Sequence, residues 1–286
     1  MRTGVFTVSM PEYTPEEAVH VLKELGYDGV EWRVAQVPKE EPKDVPFEGR
    51  YWQGNKCTLD VEKIEEEAVR AKKISDEAGI EILSLTTYLR PHEYEMIERV
   101  LKAANEIGCG QIRVFPPDYN ETENYEVLFK KTREHVEYLE QLAKKYETKI
   151  VFEIHMDNLL ATASAARRLL DGLDAKYLGV IFDPGNMVYE GFENYKKCFE
   201  MLGDYLAYIH VKNGMIEYCG ENEQGVAQWK RSWTPLKKGS ADLAKLFLVM
   251  KEMDYQGNIS VEDFSNEETT YEKLKHNREY LRELAS

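Results

Sequence analysis

The sequence predicts a single-domain α/β protein with the fold of a (β/α)8 (TIM) barrel. Short apolar runs, rich in the β-branched and aromatic residues of buried strands, alternate with amphipathic helical runs along the whole chain. Eight such strand–helix units occur, and strict alternation of this kind indicates a parallel sheet. The chain length of 286 residues also matches one barrel of eight units.

The predicted elements follow one another in a regular order. Thr14 is a good N-cap for the first helix and Gly26 a good C-cap, while Gly79 and Gly108 end the next two helices in the same way. The predicted strands are residues 4–9, 29–34, 80–86, 111–115, 149–154, 178–182, 206–211 and 258–262. The predicted helices are residues 15–25, 61–78, 93–107, 125–146, 162–173, 193–202, 242–253 and 266–284.

Loop lengths orient the predicted barrel. Connections from helix back to strand are short, whereas the loops after the second strand (residues 35–60) and the seventh (residues 212–239) are long. Long loops of a barrel lie on its C-terminal face, where active sites are built. An open, doubly wound sheet is the weaker alternative, because no glycine-rich turn follows the first strand. No repeat or linker divides the chain, so residues 1–286 are expected to form one domain.

Composition limits the classes of partner. The net charge of −15 argues against nucleic acid or an anionic membrane, since both attract positive patches. The four cysteines are scattered without metal-ligand spacing, as is typical of reduced thiols in a cytosol. No apolar stretch approaches the 18 residues of a membrane span, and the first apolar run is too short for a signal peptide. We therefore expect a cytoplasmic protein that acts on a small molecule.

Four predicted strands carry a metal-ligand residue near the C-terminal end: Glu153, Asp183, His210 and Glu262. Such a residue in a buried strand is costly unless it is paired or bound to a cation. Any one of them could form a buried salt bridge, but four at the same end are better explained by a shared ion. Three carboxylates and one imidazole favour one divalent cation such as Mn²⁺, Mg²⁺ or Co²⁺, with Zn²⁺ also possible.

The strand motifs VFEIH, VIFDPGN, YIHVKN and ISVEDF, together with the opening GYDGVE, resemble those of the xylose isomerase-like TIM barrels. Within that superfamily the sequence is most similar to the sugar phosphate isomerase/epimerase family. The resemblance implies that Glu153, Asp183, His210 and Glu262 bind one metal ion. It also implies that Glu153 and Glu262 exchange protons with an enediolate formed from a keto sugar or related polyol.

His155 raises an alternative. Residues two apart in a strand face the same way, so Glu153 and His155 are expected to share the barrel mouth. Glu-x-His at this position resembles relatives that dehydrate cyclic keto-polyols, in which case His155 is the base of a lyase that expels water or an aglycone. Alternatively, His155 orients Glu153. The ketose 3-epimerases carry a histidine where this chain has Asn186, which can bind a hydroxyl group but cannot shuttle a proton.

Further residues are candidates for substrate binding. Lys212 faces the same side as His210 and either holds a substrate oxygen or pairs with Glu31 or Asp183. Arg231 and Trp233, in the long loop after the seventh strand, and Tyr51 and Trp52, after the second, either close over a sugar or anchor their loops. Glu31 is expected to form a polar wall of the pocket, with Arg113 buried against it.

The segment after the last strand, residues 263–268, is acidic and lacks glycine, which disfavours a phosphate group. An unphosphorylated sugar, polyol or glycoside is therefore expected. Two other functions are weaker, and the first of them is set aside because the chain has few histidines at strand ends and an acidic surface. An apurinic-site endonuclease of the same fold would need more histidines and a basic groove, and a non-catalytic binding barrel would need no metal. The chain could form a homo-oligomer, but no sequence feature locates an interface.

Overall fold

A computed structural model of the protein describes residues 1–40 and 44–286. Eight of its strands form a closed parallel barrel in the order β1-β11-β8-β7-β6-β5-β4-β2. Because β1 pairs with both β11 and β2, the barrel is complete, and the predicted single-domain (β/α)8 fold is confirmed. The strands are β1 (Thr3–Phe6), β2 (Gly29–Ala35), β3 (Thr58–Asp60), β4 (Glu81–Thr87), β5 (Gln111–Arg113), β6 (Lys149–Glu153), β7 (Leu178–Phe182), β8 (Leu206–Val211), β9 (Gly214–Glu221), β10 (Ala227–Trp233) and β11 (Asn258–Val261).

The helices pack around the barrel with the expected caps. Thr14 accepts a hydrogen bond from the Glu17 amide (3.3 Å), and Glu17 accepts one from the Thr14 amide (2.8 Å). Gly26 ends the first helix with a left-handed φ of 74°, as its predicted C-cap role requires. The helices are α1 (Pro15–Leu25), α2 (Ile64–Ala78), α3 (Tyr94–Glu106), α4 (Tyr125–Lys145), α5 (Ala163–Leu170), α6 (Pro184–Tyr189), α7 (Tyr195–Leu202), α8 (Leu243–Glu252) and α9 (Thr270–Ala285).

The structure differs from the sequence-based expectations at several points, one of which is the short helix α6 directly after β7, which was not predicted. The first strand ends at Phe6 and continues as a 3-10 turn. The loop of residues 35–60, of which 41–43 lie outside the described residues, contains β3, which pairs with the end of β2. The loop of residues 212–239 folds into the antiparallel hairpin β9–β10. Most residues of this hairpin are exposed, so no alternation of apolar and polar residues marked its strands.

The inside of the barrel contains two layers of different chemistry. Near its N-terminal end, Val151, Ile181 and Tyr208 pack together and are fully buried. Two residues further along β6 and β8 come Glu153 and His210, and Asp183 stands in the same position after β7. Since residues two apart in a strand face the same side, these groups also point inward. The main apolar core lies between the outer faces of the strands and the helices.

Candidate metal centre and active site

The four predicted metal ligands meet at the C-terminal end of the barrel. Ligand atoms of Glu153, Asp183, His210 and Glu262 all lie within 4.8 Å of one another, and all four residues are buried. Asp183 also caps α6, since its Oδ1 accepts a hydrogen bond from the backbone N–H of Asn186 at 2.9 Å. The donor set is therefore three carboxylates and one imidazole, which fits a divalent metal ion.

Glu31 fixes the orientation of His210. The Nε2 of His210 lies 3.0 Å from both carboxylate oxygens of Glu31, whereas its Nδ1 lies 3.3 Å from Glu153 Oε1. Glu31 also accepts hydrogen bonds from the hydroxyl groups of Thr86 (2.6 Å) and Tyr208 (2.8 Å). An ionised Glu31 makes Nε2 the protonated nitrogen, so the lone pair of Nδ1 faces the other ligands. The sequence predicted only a polar wall of the pocket for Glu31, whereas the structure places its carboxylate directly against His210.

The net charge of this cluster is negative, which favours the binding of a divalent cation. Four buried carboxylates, those of Glu31 and the three acidic ligands, face two buried cations, Arg113 and Lys212. With His210 neutral, four negative and two positive charges sum to −2. Burial lowers the pKa of His210, but Glu31 and Glu153 outweigh burial and raise it well above its ordinary value. Without a metal ion, a second proton on His210 neutralises part of the negative charge of the cluster. A bound divalent ion would neutralise all of it.

Arg113 pairs with Glu153 and not with Glu31, contrary to the sequence-based expectation. Its guanidinium group contacts Glu153 Oε2, donates from Nε to the Thr87 carbonyl at 3.1 Å and lies 4.7 Å from the Tyr88 ring centre. Burial by itself would raise the pKa of Glu153, but Arg113 and His210 hold it well below its usual range. Glu153 is therefore ionised, as a metal ligand must be, and its lowered pKa makes it a weak base.

Asn186 is fully buried against the ligands. Its amide nitrogen donates to Glu153 Oε1 (3.0 Å), Asp183 Oδ2 (2.9 Å) and the Ile154 carbonyl (3.1 Å). The predicted role of this side chain was a hydrogen bond to a substrate hydroxyl group. The structure does not test that role, but it places the amide nitrogen of Asn186 against the carboxylates of two candidate ligands, where it can orient them.

His155 lies beside the cluster with one nitrogen engaged. Its Nδ1 lies 2.7 Å from the Met156 carbonyl, and its ring meets the Phe115 ring edge-on at 5.0 Å. A carbonyl accepts a hydrogen bond, so Nδ1 carries the proton and Nε2 carries a lone pair. Burial lowers the pKa of His155, although Glu153 opposes the shift. The ring is thus neutral near pH 7, with a nitrogen able to take a proton.

Lys212 joins the ligands to the aromatic mouth of the barrel. Its Nζ lies 2.6 Å from Glu262 Oε2 and 3.8 Å from Asp183 Oδ2, and it lies 4.2 Å from the centre of the Trp233 ring. Burial lowers the pKa of Lys212, but Glu262 and Asp183 outweigh it and raise the pKa, so the amine stays charged. A Cβ on Gly185 would lie 2.7 Å from Lys212 Cγ, which explains a glycine at that close approach.

The predicted loop residues surround a cavity of about 550 Å³ at the mouth. Trp233 packs against Tyr189 and Phe264 and so lines the cavity close to Lys212. Arg231 lies further out, where its NH1 is 3.4 Å from Asp157 Oδ2 and its side chain is half exposed. Tyr51 and Trp52, from the loop after β2, line the same cavity. The two long loops therefore meet over the ligands.

The fold and the ligand set together define the class of protein. The family model described as the xylose isomerase-like TIM barrel matches residues 19–284, and the chain belongs to this family. In the part of the chain that the structure describes, no helix is long and apolar enough to cross a bilayer.

Among curated proteins the chain is similar to inosose dehydratases. It is 28% identical to the enzyme of Clostridium perfringens over 131 residues, or 42% of each chain, and 24% identical to that of Clostridium botulinum over 155 residues, or 52% of each. The matches thus span about half of these relatives or less.

Solved structures share the fold over the whole chain. The 3-keto-D-glucoside 4-epimerase YcjR of E. coli has a TM-score of 0.72 at 18% identity, with 99% of each chain covered. The D-psicose 3-epimerase of Clostridium cellulolyticum has a TM-score of 0.71 at 13% identity, with both chains covered completely. The IOLI protein, solved with a zinc atom, has a TM-score of 0.71 at 15% identity and covers 100% and 98%. At these identities the likeness shows the fold alone.

Proposed function

We propose that the protein is a divalent-metal-dependent isomerase or epimerase that acts on an unphosphorylated keto sugar or related polyol through an enediolate. The observation that carries this proposal is the buried set of Glu153, Asp183, His210 and Glu262, to which Lys212 is bonded. A net charge of −2 in the surrounding cluster and the orientation of His210 Nδ1 support a bound dication.

The ion would be held by these four residues, with Mn²⁺, Mg²⁺ or Co²⁺ favoured by the oxygen-rich set and Zn²⁺ compatible with it. When bound, it would act as a Lewis acid that acidifies the carbon next to the substrate carbonyl. Lys212 keeps its charge within reach of Glu262 and adds a fixed positive group to stabilise a developing oxyanion.

Two side chains are suited to moving the proton. His155 is neutral and offers Nε2 as an acceptor. Burial raises the pKa of Glu262 above its ordinary value, although Lys212 opposes the shift, so this carboxyl group can also take and return a proton. Glu153, held ionised by Arg113, serves as a ligand in this scheme. An isomerase or epimerase would remove a proton with one of the pair and return it from the other.

A lyase is the second candidate, and the pairing of Glu153 with Arg113 favours it. This pairing leaves His155 as the acceptor on that side of the site. The base takes the proton from carbon, the carbonyl oxygen gains the electron pair as an enolate forms, and the enolate then expels a β-substituent. A proton from Glu262 completes the leaving group as water or an alcohol. The similarity to inosose dehydratases supports this reading.

Solvent-exchange NMR separates the two candidates. Metal-loaded protein is incubated in D₂O with a panel of keto sugars, keto-polyols and keto-glycosides. Deuterium on the carbon next to the carbonyl of an isomer or epimer supports the first candidate, and an enone with a released leaving group supports the second. Protein that holds one metal ion per chain but catalyses neither exchange nor elimination on any of them would contradict both.

A matched pair of histidine variants tests the role of His155. We expect His155→Gln to retain its metal. Its rate of solvent exchange should fall by about 100-fold, the usual contribution of a general base. His276→Gln changes an exposed histidine of α9 that pairs with Glu268, so the rate of exchange should be unchanged. Metal loss in His155→Gln would assign this residue to positioning Glu153 instead.

A further inference from the structure

The cavity at the barrel mouth has a continuous aromatic wall. Trp52 lies 5.2 Å from Phe264, Phe264 lies 5.9 Å from Trp233, and Trp233 lies 4.5 Å from Tyr189, measured between ring centres. Trp52 is 46% exposed although it packs on Phe264, so one face of this wall is open to a ligand. We call these four residues the aromatic wall.

The aromatic wall stands outside the ligands and not among them. Lys212 lies between the two regions: its Nζ contacts Glu262 on one side and lies 4.2 Å and 4.7 Å from the ring centres of Trp233 and Phe264 on the other. Met156, next to His155, also lines the cavity. A substrate whose carbonyl group lies at the ligands and whose reacting carbon lies near His155 would therefore extend past Lys212 into the cavity.

The charges around the cavity do not favour an anionic group. Its charged lining residues are Lys230 and Arg231 against Glu48 and Glu267, which is two of each sign. Arg231 already pairs with Asp157, and Glu267 with Lys238. A balanced rim has no excess positive charge for a phosphate dianion. Flat aromatic faces instead bind the C–H face of a sugar ring or another aromatic ring.

From this geometry we infer that the substrate is a keto-glycoside, in which the keto sugar binds at the ligands and a second ring stacks on the aromatic wall. This inference rests on the proposed function for the position of the keto sugar, whereas the second-ring site rests on the cavity itself. The shared chemistry of the second ring is a flat apolar face, which either a sugar or an aromatic aglycone can supply.

Binding of unreactive glucosides tests the inference without turnover. Isothermal titration calorimetry is performed on metal-loaded protein with methyl β-D-glucopyranoside, phenyl β-D-glucopyranoside and cellobiose. We expect at least one of the two-ring ligands to bind about tenfold more tightly than the methyl glucoside, as a stacking contribution predicts. Tighter binding of the phenyl glucoside assigns an aromatic aglycone, and tighter binding of cellobiose assigns a second sugar. Equal affinity for all three would overturn the inference.

Two tryptophan variants locate the effect. Trp52→Ala removes one ring of the aromatic wall and should abolish the tenfold preference. Trp229→Ala removes a 62% exposed tryptophan of the hairpin that does not line the cavity, and the preference should remain. Loss of the preference in both variants, or in neither, would contradict the assignment to the aromatic wall.

A metal-ligand variant separates this inference from the proposed function. Glu153→Gln changes the ligand set and leaves the cavity lining intact, so the preference for two rings should persist in that variant. If the preference stands while metal-loaded wild-type protein catalyses no proton exchange, the proposed function fails and the second-ring site survives. If the wild-type protein catalyses exchange but shows no preference for two rings, the second-ring site fails and the proposed function survives.

Discussion

The two ends of the barrel interior differ in chemistry although the same strands build both. At the N-terminal end, Val151, Ile181 and Tyr208 fill the interior with apolar surface. One inward-facing position further along, Glu153, Asp183 and His210 form an ionic cluster. The difference shows that a single pair of residues per strand changes the interior from a packed core to a site that fits a cation. The first layer is packed apolar surface, and the second contains the groups of the candidate metal site.

Replacing a candidate ligand in the second layer should abolish metal binding while the apolar packing of the first layer, and hence the fold, is retained. We expect His210→Ala or Asp183→Asn to lower metal affinity by more than about 100-fold and to abolish turnover, because each removes a direct ligand. Metal content by plasma mass spectrometry and circular dichroism check the outcome. Undiminished metal in both folded variants would contradict the assignment of the site.

Truncating a side chain in the first layer should lower the stability of the protein and leave its metal affinity unchanged. Ile181→Ala leaves a cavity in a fully buried apolar cluster, so the free energy of unfolding should fall by about 2–5 kcal/mol. Metal affinity of the folded protein should stay within about threefold of wild type. Ile181 pairs with Glu153 between β6 and β7 through the backbone, which the substitution keeps, and its side chain supplies no ligand atom. Urea unfolding and metal titration measure the two quantities. A large loss of metal affinity would show that the layers are not independent.

Glu31 connects the two layers, because it bonds Tyr208 of the first and His210 of the second. Glu31→Gln removes the charge that holds the proton on His210 Nε2. We expect metal affinity to fall by about 10- to 100-fold, the usual effect of removing a partner of a metal-bound histidine. Glu48→Gln, a change at the exposed rim, is the matched control and should leave affinity unchanged. Equal affinity in the two variants would show that His210 is oriented by other groups.

The pH dependence of stability should differ between stripped and metal-loaded protein. The pKa of His210 is raised in the folded state above its ordinary value of 6.5. The stabilisation that its proton provides is therefore complete below about pH 6.5 and is lost as the pH rises through the raised pKa. We expect chelator-treated protein to lose thermal stability over that range. Metal-loaded protein should not, since a cation replaces the proton. Identical profiles would contradict this exchange.

The fold and the ligand positions could be predicted because both depend on local patterns. Apolar runs gave the strands, Thr14 and Gly26 marked the ends of the first helix, and a charged residue at the end of a buried run marked each ligand. Parallel strands in a closed barrel bring their carboxyl ends together, so one topology was enough to place four distant residues at one point.

The pairings within the site could not be predicted, since they depend on distances across the barrel. Glu31 and His210 are 179 residues apart in sequence, and no local pattern shows that they form a pair. Arg113 was expected to lie against Glu31 but pairs with Glu153, and no local pattern distinguishes these two buried glutamates. The signal that could have identified Glu31 was its position inside a buried strand, the same anomaly that identified the four ligands.

The position of a bound metal ion in a crystal soaked in Mn²⁺, located by anomalous diffraction, tests the central claim most directly. We expect one peak bonded to Glu153, Asp183, Glu262 and the Nδ1 of His210, at about 2.2 Å from each. We also expect His210 Nε2 still to face Glu31. A peak at other residues, or coordination through Nε2, would contradict the assignment of the metal site.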